Sequence, residues 1–398
     1  MKILLCHNYY QQTGGEDYSF AAEGRLLESH GHEVVEFTRH NGAISSMWLW
    51  DVARKAFWNR EVYREARALL QRERPAVMHC TNTFPLLSPA VYHAARAEGV
   101  PVVQALRNYR LLCPNAAFLR DATPCEKCLG KSFAWPAIVH GCYRESRAGS
   151  AVVASLVAWH RWRKTWSETV DVYYTPSEFA RQKYIEGGFN ADKIAVKPNF
   201  VDPAPGPGRG QGGFAMFAGR LSPEKGIETL LAAWRTSTAH IPLKIVGDGP
   251  LAPLVQAAAE KDSRIQWLGQ RPAAEVLDLL GDATFLVYPS VCYETFGRAI
   301  VEAYSRGTPV VASRVGAIAE LLDDGVTGAL FEAGNPADLA RVALRQWYAA
   351  MKGDQQRQAA LEAFEARYTG AANVAQLLAI YSRVLPAAAP VNEEAAAL

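Results

Sequence analysis

The sequence predicts an α/β protein made of two doubly wound, Rossmann-like domains, and three observations carry that prediction. Short apolar runs alternate with amphipathic helical stretches from the first residues on, the rhythm of a parallel sheet covered by helices. The rhythm restarts after Pro203–Gly213, whose proline and glycine content marks a linker between domains. The chain has 398 residues and 49% hydrophobic content, too long for one ordinary domain and apolar enough for two cores.

Taken in order, Lys2–Cys6 reads as a buried strand, Phe20–His30 as a helix, Glu33–Thr38 as a strand, and Val62–Arg72 as a helix. A strand over Ala76–Cys80, a helix over Pro89–Ala97 and a strand over Pro101–Leu106 continue the series. The second series opens with a strand over Phe214–Ala218. Further strands end at Gly247-Asp248-Gly249 and at Leu268-Gly269-Gln270. The apolar run Ala283–Pro289 is another strand, Thr295-Phe296-Gly297 a turn, and Arg298–Ser305 a short amphipathic helix. The expected organisation is therefore a domain over 1–200 with an irregular, cysteine-containing insertion over about 108–150, a linker over 201–213 and a domain over 214–370. A last helix over 371–385 and an Ala/Pro/Glu-rich tail over 386–398, expected to be disordered, follow. No short-period repeat is present.

Net charge is only +2, but residues 1–200 hold 25 Lys and Arg against 19 Asp and Glu, and residues 201–398 hold 17 against 21. The basic surplus of the first half suits an anionic membrane or a phosphorylated acceptor and is too small for nucleic acid. The opening apolar run is too short for a signal peptide or a membrane span, so the expected location is cytosolic, with peripheral contact at the inner face of the cell membrane open. Thiols stay reduced there, so the seven cysteines are not assigned to disulfides.

The stretch Pro289-Ser-Val-Cys-Tyr-Glu294-Thr-Phe-Gly-Arg-Ala-Ile-Val-Glu302 sets two carboxylates eight residues apart around the strand-to-helix turn. Free N–H groups at the helix start can cradle a diphosphate, while Glu294 and Glu302 accept hydrogen bonds from sugar and ribose hydroxyls. A solvated helix face would show the same spacing. Two other segments tip the balance: Gly219-Arg220-Leu-Ser-Pro-Glu-Lys225-Gly226 after one strand and Gly247-Asp248-Gly249 after another. Together these three motifs resemble family 4 of the retaining glycosyltransferases, and the resemblance extends over nearly the whole chain.

That resemblance implies the GT-B architecture, two Rossmann-like domains facing a cleft, with the last helix crossing back to the N-terminal domain. It implies transfer of a sugar from a nucleoside diphosphate donor, of UDP or GDP type, to a glycan or lipid-linked acceptor in polysaccharide or envelope assembly. Arg220 and Lys225 would stabilise charge on the departing diphosphate, an electrostatic role; a surface ion pair is the alternative. Gly219, Gly247, Gly249, Leu268, Phe296, Gly297 and Arg298 would line the donor beside Glu294 and Glu302, although the glycines also fit ordinary turns. Asn199, in Pro198-Asn199-Phe200-Val201-Asp202, touches the nucleotide or caps a turn. In the N-terminal loop, Gly15 would let backbone N–H groups approach the donor, and Glu16 and Asp17 either bind an acceptor sugar or cap the following helix. Asn108 is a further acceptor candidate.

One position departs from the family. Related chains carry Leu-His-Asn or Leu-His-Asp where this one has Leu106-Arg107-Asn108, and that histidine faces the donor sugar. Arg107 could pair with the diphosphate or an acidic sugar's carboxylate and so alter donor choice, or be a structural arginine paired with an acid. Glu294 is not assigned as a nucleophile, because the family is thought to react on one face of the sugar through an oxocarbenium-like state. No Asp-x-Asp triplet is present, so no divalent metal is expected in catalysis. Rival readings are a GT-B phosphorylase or disaccharide synthase, and a noncatalytic nucleotide-sugar-binding partner of a glycan-assembly complex. A dehydrogenase is disfavoured, since neither half has Gly-x-Gly-x-x-Gly after its first strand.

Cys113, Cys125, Cys128 and Cys142 lie in the insertion, and the Cys-x2-Cys pair has a zinc-binding bite. A structural zinc with His140 as a substitute ligand, packed free thiols and a redox pair all fit this pattern. Two stretches, Met47–Trp58 and Ser155–Trp166, mix tryptophan with cations on expected helices. Their tryptophans either face a core or lie at a membrane interface.

Overall fold

A computed structural model describes residues 1–12, 14–237 and 240–385. The 386–398 tail lies outside the described residues. Strands β1 (Lys2–Tyr9), β2 (Glu33–His40), β3 (Val77–Asn82) and β4 (Val102–Ala105) are followed by a two-stranded ribbon of β5 (Leu119–Arg120) and β6 (Thr123–Pro124), then by β7 (Val172–Thr175) and β8 (Ile194–Val196). A second series comprises β9 (Ala215–Ala218), β10 (Leu243–Val246), β11 (Ile265–Gly269), β12 (Phe285–Tyr288), β13 (Val310–Ser313) and β14 (Gly328–Phe331). The first six-stranded sheet has the order β2-β1-β3-β4-β7-β8 and the second β11-β10-β9-β12-β13-β14. The pairing is parallel, unbroken between β1 and β2 from Lys2↔Glu33 to Tyr9↔His40 and between β13 and β14 from Val310↔Gly328 to Ser313↔Phe331. The two parallel-sheet α/β domains expected from the sequence are present.

The strands β3, β4, β7, β12, β13 and β14 are buried at every position, as helix cover on both faces of a parallel sheet requires. In each sheet the chain leaves the first strand in one direction and later returns to its other side. The switch falls between β1 and β3 in the first sheet and between β9 and β12 in the second. Ligands of open α/β sheets collect beyond the carboxyl ends of the strands at such a point.

By contact density the chain forms two compact units, residues 1–105, 164–173 and 374 onward in one and 106–163 with 174–373 in the other. In the second unit the proline- and glycine-rich segment is pinned rather than loose. Gly208, Gly210 and Gly212 donate to the carbonyls of Arg306, Gly281 and Asp282, and Arg306 Nη1 donates to those of Pro205 and Gly206. The closing helix is Gly370–Ser382, and in the first unit its Tyr381 hydroxyl lies 2.9 Å from His79 Nδ1.

Candidate active site

In the second unit the loops after β9 and β12 hold Gly219, Arg220, Lys225, Glu294, Phe296 and Gly297, the core of the residues singled out by the sequence. Beyond β9 the chain turns through Gly219 and Arg220 into a single helical turn, Pro223–Lys225, closed by Gly226. Gly226 has φ of +70°, and a Cβ there would sit 1.9 Å from the carbonyl oxygen of Pro289. Only glycine lets this loop lie against the exit of β12. The contact delivers the side chains: Lys225 Nζ donates to Glu294 Oε1 at 2.6 Å. The Ser290 hydroxyl is 2.7 Å from that same oxygen and 2.9 Å from the carbonyl of Glu224. Gly247, after β10, is packed as tightly, since a Cβ would fall 1.9 Å from the Gly219 oxygen.

Burial opposes the charge on Lys225, but the Glu294 carboxylate outweighs it, and the ammonium titrates above the usual lysine range. Tyr288, whose ring faces Lys225 Nζ at 5.8 Å, is raised above the usual phenol range by burial and then by Glu294. The thiol of Cys292 is pushed up to about 12 by the same two causes in the same order. Lys225 is therefore a fixed cation and not a proton donor at neutral pH. Arg220 is exposed, and among the described residues no hydrogen bond or ion pair holds its guanidinium. Across the turn, Gly297 brings no side chain to the start of helix Arg298–Ser305, and Arg298 Nε donates to Glu302 Oε1 at 2.8 Å. Phe296 is a core residue stacked edge-on to Tyr368. Leu268 packs partly buried on the same core.

Arg107 is buried, and its partners include an amide and a phenol. Nη1 donates to Asn199 Oδ1 and Nη2 to the Tyr174 hydroxyl at 3.3 Å. Its carbonyl accepts from Thr295 Oγ1 at 2.8 Å, next to Glu294. Asn199, read from sequence as a nucleotide contact or a turn cap, is thus the acceptor for Arg107. Asn108 Oδ1 accepts from the Arg110 amide at 3.0 Å, a turn role. The loop 292–297 is also held through Ser177 Oγ, which donates to the Thr295 carbonyl at 2.8 Å. Sequence reasoning missed Ser290, Tyr288, Tyr174 and Thr295. The first two stand on the exit of β12 and could have been read with Glu294, whereas nothing local links Tyr174 to Arg107.

In the first unit, Gly14 and Gly15 follow β1, at the switch point of that sheet. Asp17 is buried and occupied. Its carboxylate is 2.7 Å from His7 Nε2 and accepts from the Gly14 amide at 2.7 Å, a helix-capping hydrogen bond. Glu16 accepts from the Tyr10 hydroxyl at 2.9 Å.

Cys113, Cys125, Cys128 and Cys142 line one cavity together with His140 and Arg120. All are free thiols, and among the described residues no group of three or more His, Cys, Asp or Glu side chains is set to hold a metal ion. The tryptophans divide. Trp48, Trp50, Trp159 and Trp162 are exposed, against the core reading, while Trp166 is buried in agreement with it.

Residues 14–199 match the glycosyl transferase 4-like domain, and residues 214–347 match the glycosyl transferases group 1. The chain belongs to the family 4 glycosyltransferases of GT-B architecture. It is 36% identical over 128 residues to an uncharacterised glycosyltransferase of Methanocaldococcus jannaschii, covering 32% of this chain and only about a third, 36%, of that protein. It is 25% identical over 362 residues to an uncharacterised 42.6 kDa protein in the cps region of Klebsiella pneumoniae, covering 81% of this chain and 87% of the relative. The solved structure of Anabaena HepE in complex with UDP and glucose resembles it with a TM-score of 0.66 at 18% identity, over 96% of this chain and 99% of that one. At this identity the likeness speaks for the fold.

Proposed function

We propose that the protein is a retaining glycosyltransferase that moves a sugar from a nucleoside diphosphate sugar to a glycan or lipid-linked acceptor, without a divalent metal. The observation that carries this reading is the pairing of Lys225 with Glu294 at the switch point of the second sheet, beside the exposed Arg220. The UDP and glucose bound by the HepE neighbour agree with a donor of that type.

In the proposed reaction the anomeric C–O bond breaks and its electron pair passes to the diphosphate, leaving positive charge over the anomeric carbon and ring oxygen. Arg220 and Lys225 favour the negative charge as it forms, a stabilisation greater in the transition state than in the bound donor. The acceptor hydroxyl bonds to the anomeric carbon on the face the phosphate leaves, and its proton goes to a phosphate oxygen. Glu294 fixes Lys225 and accepts from a sugar hydroxyl, and Glu302 accepts from the ribose. Arg107 positions the Thr295 turn and Asn199. The setting proposed is polysaccharide or envelope assembly.

The test is hydrolysis and transfer with a panel of UDP- and GDP-sugars in excess EDTA, comparing the wild type with Glu294→Ala. Release of nucleoside diphosphate from one donor by the wild type, with the α or β configuration retained in the product and activity lost in the variant, is expected. No transfer from any nucleotide sugar, with transfer from a sugar 1-phosphate that releases inorganic phosphate, would point to a phosphorylase, and loss of activity in EDTA would overturn the metal-free mechanism.

A further inference from the structure

Residues 127–163 carry six Lys and Arg, namely Lys127, Lys131, Arg144, Arg147, Arg161 and Arg163, against one acid, Glu145. The preceding acid, Glu126, is paired with Lys183 at 2.8 Å. Most of this segment is built on two packed helices, Trp135–His140 and Arg147–Trp162, the latter capped by Ser146 Oγ, which accepts from the Gly149 amide. One side of the longer helix is core: Val153, Ala154, Leu156 and His160 are buried. Its carboxyl end does something different. Trp159 and Trp162 are 50% and 70% exposed, with ring centroids 5.1 Å apart. Arg161 Nη1 donates to the carbonyl of Lys131 at 2.9 Å, which brings the segment of Phe133 and Trp135 beside this helix end. Trp135 is 55% exposed and Val139 51%. Lys131 Nζ stands 5.9 Å from the Trp135 ring centre.

A single exposed apolar side chain is ordinary, but three tryptophans and a phenylalanine on adjoining pieces are not. Indole rings with one wet edge belong at the headgroup level of a bilayer, and Lys and Arg around them meet anionic lipid while their stems lie on the apolar boundary. No helix among the described residues is long and apolar enough to cross a membrane, so the patch suits a surface contact. A second copy of the chain fits less well, since it would oppose the cations at this end, Lys127, Lys131, Arg161 and Arg163, to their own counterparts. We propose that this face docks the protein on an anionic lipid surface.

The test is co-sedimentation of the full chain with vesicles of phosphatidylcholine alone and of phosphatidylcholine with about 30 mol% phosphatidylglycerol, at about 0.1 M and about 0.5 M salt. Three proteins are compared: wild type, Trp135→Ala/Trp159→Ala/Trp162→Ala, and Lys127→Gln/Lys131→Gln/Arg163→Gln. All six side chains replaced are exposed, so melting temperatures within a few degrees of wild type are expected and are measured first. Wild type should bind the phosphatidylglycerol vesicles far better than phosphatidylcholine. The aromatic variant should lose about tenfold or more in partitioning. The charge variant should lose on the order of a hundredfold at low salt, about fivefold per cation, and much less at high salt. Wild type left in the supernatant, equal binding to both vesicles, or an aromatic variant that binds like wild type would overturn the proposal; the last would shift attention to Trp48 and Trp50. So would a wild-type dimer that the aromatic substitutions dissociate and that does not bind lipid.

Discussion

Lys225 carries the most chemistry for a single residue. Its titration lies above the unfolded value of 10.5, so on the alkaline side the stability from its pairing with Glu294 is fully present up to about pH 10.5 and is lost as pH rises beyond it through the raised folded-state value. An alkaline limb in kcat/KM below pH 10 is therefore not expected from this group, which a pH–rate profile checks. Lys225→Ala and Arg220→Ala should each lower kcat by about 100- to 1000-fold, the scale for removing one preorganised charge-stabilising donor. Arg107 makes a different prediction. Because its guanidinium is buried on Asn199 and Tyr174, Arg107→His should cost about 1–3 kcal/mol of stability in urea unfolding and leave the ratio of uronic to neutral sugar donors unchanged. A changed ratio would return Arg107 to the donor. The thiols of Cys113 and Cys292 are both pushed up to about 12, with burial the leading cause, so native protein at pH 8 should alkylate slowly at both.

At the level of elements, the site depends on how closely the loops after β9, β10 and β12 approach one another. Gly226→Ala would drive a methyl into the Pro289 carbonyl at a φ of +70°, and a loss of about 2–4 kcal/mol is expected in denaturant midpoint, together with loss of donor hydrolysis. Helix Arg298–Ser305 was legible residue for residue, because its apolar period is bounded by Gly297 and Gly307. The first strand was read as Lys2–Cys6 and runs on to Tyr9. Its extension holds polar His7 and Asn8, buried because His7 meets Asp17 and Asn8 Oδ1 accepts from the Leu86 amide at 2.8 Å. Those partners lie ten and 78 residues away, and no local pattern announces them. The two tryptophan segments show the same limit: helical period placed both, but which rings would be covered depended on tertiary neighbours.

Over the whole molecule, two parallel sheets follow from one repeated pattern, and their strand orders put the switch points after β1 and β3 and after β9 and β12. The donor motifs fall at the second, which is why so much of the site could be read from sequence: each motif follows directly on a strand end. What stayed hidden is the web of Arg107, Asn199, Tyr174 and Thr295, assembled from segments far apart in the chain. The central claim is that the loops after β9 and β12 bind a nucleoside diphosphate. The most direct measurement is a thermal-shift titration with UDP, GDP and ADP on wild type, Arg220→Ala and Lys225→Ala. One nucleotide should raise the wild-type melting temperature in a concentration-dependent way, by about 2.7 kcal/mol of added stability at a hundred times Kd, and neither variant should respond at the same concentrations. A folded wild type that no nucleotide stabilises, or a shift that survives in both variants, would contradict it.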